Sequence, residues 1–235
     1  ASDLDLVFVA ADEADGQALT RLVQRVLSWL NSMTAGGVLY DTDLRLRPDG
    51  DSGLLVPRLA AFRDYQAKRA WTWEHQALTR ARWCAGDPAL VAPFDAIRAE
   101  ILSRPRERAA LIRDVTEMRE KMRADKRDEA ARLNLKHTRG GIIDVEFIVQ
   151  AIILIYSHEH PEFLGNLGNF ALLTRAGALG ILDEESAAAV AKAYLTYRER
   201  QHRSRTNNEL KTWIAPDELQ AERDAVTGAW RTLLG

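Results

Sequence analysis

Ser2-Asp3-Leu4-Asp5-Leu6-Val7-Phe8-Val9 stands at the head of this chain, and Val38-Leu39-Tyr40-Asp41-Thr42-Asp43-Leu44-Arg45-Leu46-Arg47-Pro48 follows it. Both stretches alternate with a period of two. In a strand, successive side chains point to opposite faces, so Asp3 and Asp5 share a face. The second stretch puts Asp41, Asp43, Arg45 and Arg47 on one face, with Tyr40, Thr42, Leu44 and Leu46 on the other. If the two strands pair, Asp43 joins Asp3 and Asp5. Three carboxylates at one place repel each other unless a cation sits between them. All-oxygen ligation suits Mg²⁺ or Mn²⁺, and Mg²⁺ is commonly shared with substrate phosphates. Arg45 and Arg47 are suited to binding those phosphates. Taken singly, each motif has a plainer reading. An Asp-x-Asp at a strand start also marks turns and solvated edges, and an Asp/Arg strand face also forms surface ion pairs.

Working outward, Leu4–Val9 reads as a short buried strand. Gln17–Met33 reads as a helix on the apolar stripe Leu19, Leu22, Val23, Val26, Leu27, Leu30 and Met33. Ala35-Gly36-Gly37 breaks the chain before the second strand, expected over Val38–Arg47. Pro48-Asp49-Gly50-Asp51 is a turn, and Gly53–Val56 reads as a third strand. Arg58–Lys68 and Trp71–Arg82 read as helices, and the chain from Ala89 onward is helical by pattern. Residues 104–139 carry twelve Lys/Arg against seven Asp/Glu. Leu111, Val115, Met118 and Met122 make a stripe there, so the segment reads as an amphipathic helix with a solvated face or a basic wall. Gly140-Gly141 opens an apolar helix from Ile142 to Ser157. Asp144 and Glu146 lie in its first turns, where carboxylates favour the positive helix end.

Composition narrows the classes. The 235 residues are 46% hydrophobic and 28% charged, which allows a sizeable core. A net charge of −2 gives no general case for nucleic-acid binding. Cys84 is the single cysteine, so no internal disulfide forms and a reducing cytoplasm is expected. Cys84 itself is expected to be buried or half-buried. The longest apolar run, Phe147–Tyr156, is too short to span a bilayer, so no membrane partner is expected. Trp71 and Trp73 face apart on a helix, so at most one could stack on an adenine ring, and core packing is the other reading of each. His158, Glu159 and His160 read as a helix end before Pro161.

An Asp pair heading an apolar strand, then a helix, then a strand with a third Asp and two Arg, is the layout of a nucleotidyltransferase site. The resemblance goes further. Gly37-Val38-Leu39-Tyr40-Asp41-Thr42-Asp43-Leu44-Arg45-Leu46-Arg47-Pro48-Asp49-Gly50, Ser52-Gly53-Leu54-Leu55-Val56 and Ala70-Trp71-Thr72-Trp73-Glu74-His75-Gln76-Ala77-Leu78 are similar to bacterial glutamine synthetase adenylyltransferase. So is Lys136-His137-Thr138-Arg139-Gly140-Gly141-Ile142-Ile143-Asp144-Val145-Glu146-Phe147. Those enzymes carry two related halves, and the Trp-Thr-Trp-Glu-His-Gln-Ala-Leu string resembles the C-terminal, AMP-attaching half.

The resemblance implies an α+β fold: a nucleotidyltransferase-type small mixed sheet with helices over 1–103, then an all-helical bundle over 104–235. It implies transfer of AMP from ATP to a tyrosine of glutamine synthetase, with Mg²⁺ or Mn²⁺ as cofactor. Asp3, Asp5 and Asp43 would be the catalytic and metal-binding residues, with Asp43 either ligand or base. Ser2, Arg45, Arg47, Lys136, Arg139, Gly140 and Gly141 would bind nucleotide or phosphate. Glu74, Asp144 and Glu146 would support them from behind, Glu74 by orienting Arg45 or Arg47. Implied partners are glutamine synthetase, a PII-type regulatory protein and the N-terminal half of the same polypeptide. The family places a Gly-Gly-x-Glu stretch just before Ser-Asp-x-Asp and a longer connection than Ala10–Gly16. Their absence implies further residues before Ala1 and around Ala10–Asp15, and leaves open whether this piece alone is active. Removal of AMP, uridylylation of a signalling protein, and a binding fragment without chemistry stay open as alternatives.

Overall fold

The computed structural model describes residues 3–38, 40–124 and 132–235. Ser2 and Leu39 lie outside the described residues, as does most of the Ala124–Arg132 stretch. The chain forms two compact units, Ala1–Ile101 and Leu102–Gly235.

The first unit is α+β. Its β1 (Leu4–Asp5) pairs in parallel with β4 (Thr42–Asp43), Leu4 opposite Thr42 and Asp5 opposite Asp43. The Leu4 amide donates to the Asp41 carbonyl at 2.8 Å and the Leu6 amide to the Asp43 carbonyl at 2.9 Å. A parallel pair needs a crossover. Here it contains α1 (Gly16–Asn31), whose first amides, Gln17 and Ala18, donate to the Asp15 carboxylate. The helix ends earlier than its stripe suggests, because β2 (Met33–Thr34) folds back on β3 (Gly37–Val38) in a tight hairpin. Met33 and Leu22 are therefore exposed, while Val23 packs with Ala10, Val56, Phe8, Leu19 and Leu27. Asn31 donates to the Thr42 hydroxyl at 2.9 Å, tying the end of α1 to β4.

Both long strands expected here are shorter in the structure. Beyond Leu6 the first segment touches sheet partners again only at Ala10, which bridges to Arg58. The second segment stops at Asp43. Its carboxylate accepts the Arg45 amide at 2.9 Å, and the Arg47 amide turns back to the Leu44 carbonyl at 3.2 Å. A side chain that offers the backbone a local acceptor competes with the ladder. Gly53–Val56 is no strand; it approaches the core as an irregular segment in which Val56 is buried.

Helices α2 (Leu59–Lys68), α3 (Thr72–Leu78) and α4 (Val91–Leu102) complete the unit. Phe62 and Phe94 pack with ring centroids 6.1 Å apart. Helix α3 stops short of the expected Arg82. The buried Arg98 donates to the carbonyls of Leu78 and Thr79 at 3.1 and 2.6 Å, taking up acceptors that a further turn would use. Trp71 is exposed at the start of α3 rather than in the core, and Cys84 is exposed too.

The second unit is built on α6 (Ile142–Tyr156), which is buried on nearly every side, as a helix apolar all round must be. Around it stand α5 (Arg108–Ala124), α7 (Asn169–Ala178), α8 (Glu184–Thr206) and α9 (Gln220–Leu234). The bundle is not wholly helical. A two-stranded ribbon, β5 (Leu133–Asn134) against β6 (Trp213–Ile214), runs antiparallel with Asn134 opposite Trp213. Arg119, on the apolar side of α5 with Leu111 and Val115, is fully buried. Among the described residues, no helix is long and apolar enough to cross a membrane.

Candidate functional site

The β1–β4 register sets Asp5 beside Asp43 and leaves Asp3 exposed one residue before the ladder. The proximity shows in the electrostatics. Partial burial raises the Asp5 carboxyl above the usual carboxylate range, and the charges of Asp43 and Asp3 raise it further, against Arg80 and Arg45. Asp43 moves the other way, because the Arg45 guanidinium and amide both donate to it. Arg45 Nε lies 3.0 and 2.8 Å from the two carboxylate oxygens, and Nη2 closes a second contact. The Asp43 side chain is 14% exposed and that of Arg45 74%, so the arginine lies over the carboxylate from the solvent side.

Asp3, Asp43, Arg45, Arg47 and Asp51 border an open depression of about 430 Å³. Arg47 is not the second tooth of an alternating strand. Its side chain is largely buried, with Nη1 donating to the Leu44 carbonyl at 3.0 Å and Nη2 reaching Asp51 at 3.4 Å. Its Nε is buried with no hydrogen-bond partner. The carboxylates are neighbours but not a closed ligand set. Among the described residues, no group of three or more His, Cys, Asp or Glu is gathered closely enough to hold a metal ion. Arg45 also occupies the oxygens of Asp43.

Glu74 is buried in α3, but its carboxylate accepts the Tyr65 hydroxyl at 2.9 Å and the Trp71 amide at 2.8 Å. It caps its own helix instead of orienting Arg45 or Arg47. Burial and that carboxylate together raise the Tyr65 hydroxyl.

The other expected residues belong to the second unit. Lys136 and Arg139 are exposed, and Arg139 lies 3.5 Å from Glu120. The Gly140-Gly141 amides were expected to be free for an anion, and the structure corrects this. The Gly140 amide donates to Asp144 at 2.7 Å and the Gly141 amide to the Thr138 carbonyl at 3.1 Å. The next two amides, Ile142 and Ile143, donate to Leu135 and Lys136 carbonyls at 3.0 and 3.2 Å. The turn thus satisfies the helix start from within. Gly140 has φ +72°, and a Cβ there would lie 2.4 Å from the Arg223 carbonyl oxygen. The Tyr197 hydroxyl donates to the Gly140 carbonyl at 2.8 Å.

Asp144 is the centre of this turn. Arg119 Nε donates to it at 2.5 Å, and Arg119 Nη2 donates to the His137 carbonyl at 2.6 Å. Burial lowers the Arg119 pKa, partly offset by Asp144. Arg119 is the residue that reading by motif missed. The available signal was its position four residues after Val115, on the apolar stripe of its helix. Glu146 sits half-buried on α6.

The glutamate-ammonia ligase adenylyltransferase family matches residues 1–97, and the GlnD PII-uridylyltransferase family matches residues 111–222. A bifunctional glutamine synthetase adenylyltransferase/adenylyl-removing enzyme of Aromatoleum aromaticum is 49% identical over 237 aligned residues, covering all of this chain and 25% of the relative. Enzymes of the same description from Burkholderia pseudomallei and Nitrosomonas europaea are 46% and 42% identical, again over the whole chain and 26% and 27% of their length. The chain therefore spans about a quarter of the curated relatives it matches.

Proposed function

Because this chain is homologous along its whole length to one quarter of the bifunctional glutamine synthetase adenylyltransferase/adenylyl-removing enzymes, we propose that it carries the adenylyl-transfer chemistry. The reaction is transfer of AMP from ATP to a tyrosine hydroxyl of glutamine synthetase, with release of pyrophosphate. The observation that carries this reading is the register that sets Asp5 beside Asp43 at the edge of an arginine-bordered depression.

The donor chemistry of the site fits a divalent cation. Burial raises Asp5 most and the charges of Asp43 and Asp3 raise it further, a repulsion that a hard cation would relieve. Asp3, Asp5 and Asp43 would hold Mg²⁺ or Mn²⁺, with Arg45 swinging from Asp43 toward phosphate. When bound, such a cation neutralises charge on the phosphates and on the leaving pyrophosphate. The chain's own residues do the rest. Arg45 is exposed on the solvent side of Asp43, and the unpartnered Nε of Arg47 fits an anionic oxygen. Lys136 and Arg139 remain candidates for phosphate contact. Glutamine synthetase, a PII-type regulatory protein and the rest of the polypeptide are the proposed partners. The match of residues 111–222 to a PII-uridylyltransferase family supports the regulatory partner.

The test uses this chain within a polypeptide as long as its relatives, supplied with glutamine synthetase, ATP and Mg²⁺. Mass spectrometry should find an AMP adduct on a tyrosine. Asp5→Asn and Asp43→Asn should each slow transfer by about a hundredfold or more while the fold persists. A polypeptide that only removes AMP would overturn the reading. So would one that uses UTP to label a PII-type protein, which is the outcome the second family match favours.

A further inference from the structure

The second unit contains a basic concavity that adenylyl transfer does not use. It lies where the end of α8 meets the β5–β6 ribbon and has a volume of about 620 Å³. Among the described residues, Arg132, Arg200, Arg203 and Lys211 line it with one carboxylate, Glu209, and the ring of Trp213. The ribbon creates this meeting. Its register sets Trp213 opposite Asn134, two residues after Arg132, and Lys211 lies two residues before Trp213. The Arg132 guanidinium carbon is then 5.0 Å and the Lys211 ammonium 5.3 Å from the Trp213 ring centroid. An indole face attracts a cation, so one ring holds two like charges near each other.

Arg200 and Arg203 approach from α8. Arg200 lies 3.1 Å from Glu218 and Arg203 2.6 Å from Glu199. All four of these side chains are at least a third exposed, and exposed pairs of this kind hold weakly. A guanidinium also has five donors, more than one carboxylate takes up. Four cationic side chains about one cavity suit an anion of several charges. Guanidinium forks match phosphate oxygens, and a volume of this size lies within the range of small-molecule sites.

We infer that this concavity binds a small polyphosphorylated ligand, no larger than a nucleotide. The inference does not depend on the chemistry assigned to the first unit. Calorimetry on the full chain without divalent metal, using inorganic tripolyphosphate, ATP and adenosine as probes, tests it. Tripolyphosphate and ATP should both bind, and adenosine should not. The double variant Arg132→Gln/Lys211→Gln should weaken tripolyphosphate about tenfold or more, the scale of lost hydrogen bonds to charged groups. Lys192→Gln, an exposed cation on α8 outside the lining, should leave that affinity unchanged. If the double variant misfolds by circular dichroism, the exposed Lys211→Gln alone should still show a several-fold loss. Absence of tripolyphosphate binding by the unaltered chain would overturn the inference. Unchanged binding in the Lys211 variants, an equal loss in Lys192→Gln, or equal binding of adenosine would do so as well.

Discussion

Replacing Arg119 by methionine tests the buried centre of the second unit. The Arg119 side chain is 0% exposed and that of Asp144 6%. Methionine keeps most of the apolar stem but removes both donors, the one at 2.5 Å to Asp144 and the one at 2.6 Å to the His137 carbonyl. Asp144 is then left with the Gly140 amide at 2.7 Å and Arg123 no nearer than 3.4 Å. Removing one member of a buried ion pair costs about 3–5 kcal/mol, mostly from the stranded charge. Arg119 Nη1 has no partner in the native structure, which places the expected loss near the lower end, about 3 kcal/mol. For a unit of this size that is on the order of 10 °C in Tm. Urea unfolding followed by circular dichroism reads it. The double variant Arg119→Met/Asp144→Leu removes both charges and should be no less stable than Arg119→Met, because the stranded charge is gone and the added losses are only the Gly140 amide's acceptor and the longer Arg123 contact. A loss under about 1 kcal/mol for Arg119→Met, or simple addition of the two single effects, would refute a buried and coupled pair.

Gly140→Ala should destabilise the chain by about 1–3 kcal/mol in thermal unfolding, since φ +72° strains any L side chain and the clashing atoms are Arg223 backbone; unchanged Tm would show that this turn can relax. Tyr65→Phe should cost about 1.5–3 kcal/mol in urea unfolding by removing the donor at 2.9 Å from the buried Glu74 carboxylate. A neutral outcome there would mean that water reaches Glu74.

The segments that could be read correctly from sequence are those whose pattern is set by their own residues. Helix α6 is apolar on every side, so it had to be buried whatever surrounded it. The stripe through Val23 announces α1. The α+β beginning and the helical remainder follow from the same periodicities. Partners distant in sequence were less visible. Arg98 ends α3 from twenty residues away by taking the Leu78 carbonyl, and no local propensity marks that stop. Arg119 carries a charge on an apolar stripe, and only its pairing with Asp144 explains why it is there.

The candidate site divides in the same way. The alternation of Asp3 and Asp5, and of Asp43 with its arginines, was written in the sequence, and it named the carboxylates. That Asp5 stands opposite Asp43 was decided by the parallel register, which depends on how the crossover through α1 packs. That β4 ends at Asp43, with Arg45 folded back upon it, was decided by a competition between ladder and side-chain hydrogen bonds. The Gly140-Gly141 turn could be located from its glycines, but the destination of its amides could not. A residue type states what a group can bond to; only the packed chain brings a particular partner within reach of it and excludes the rest.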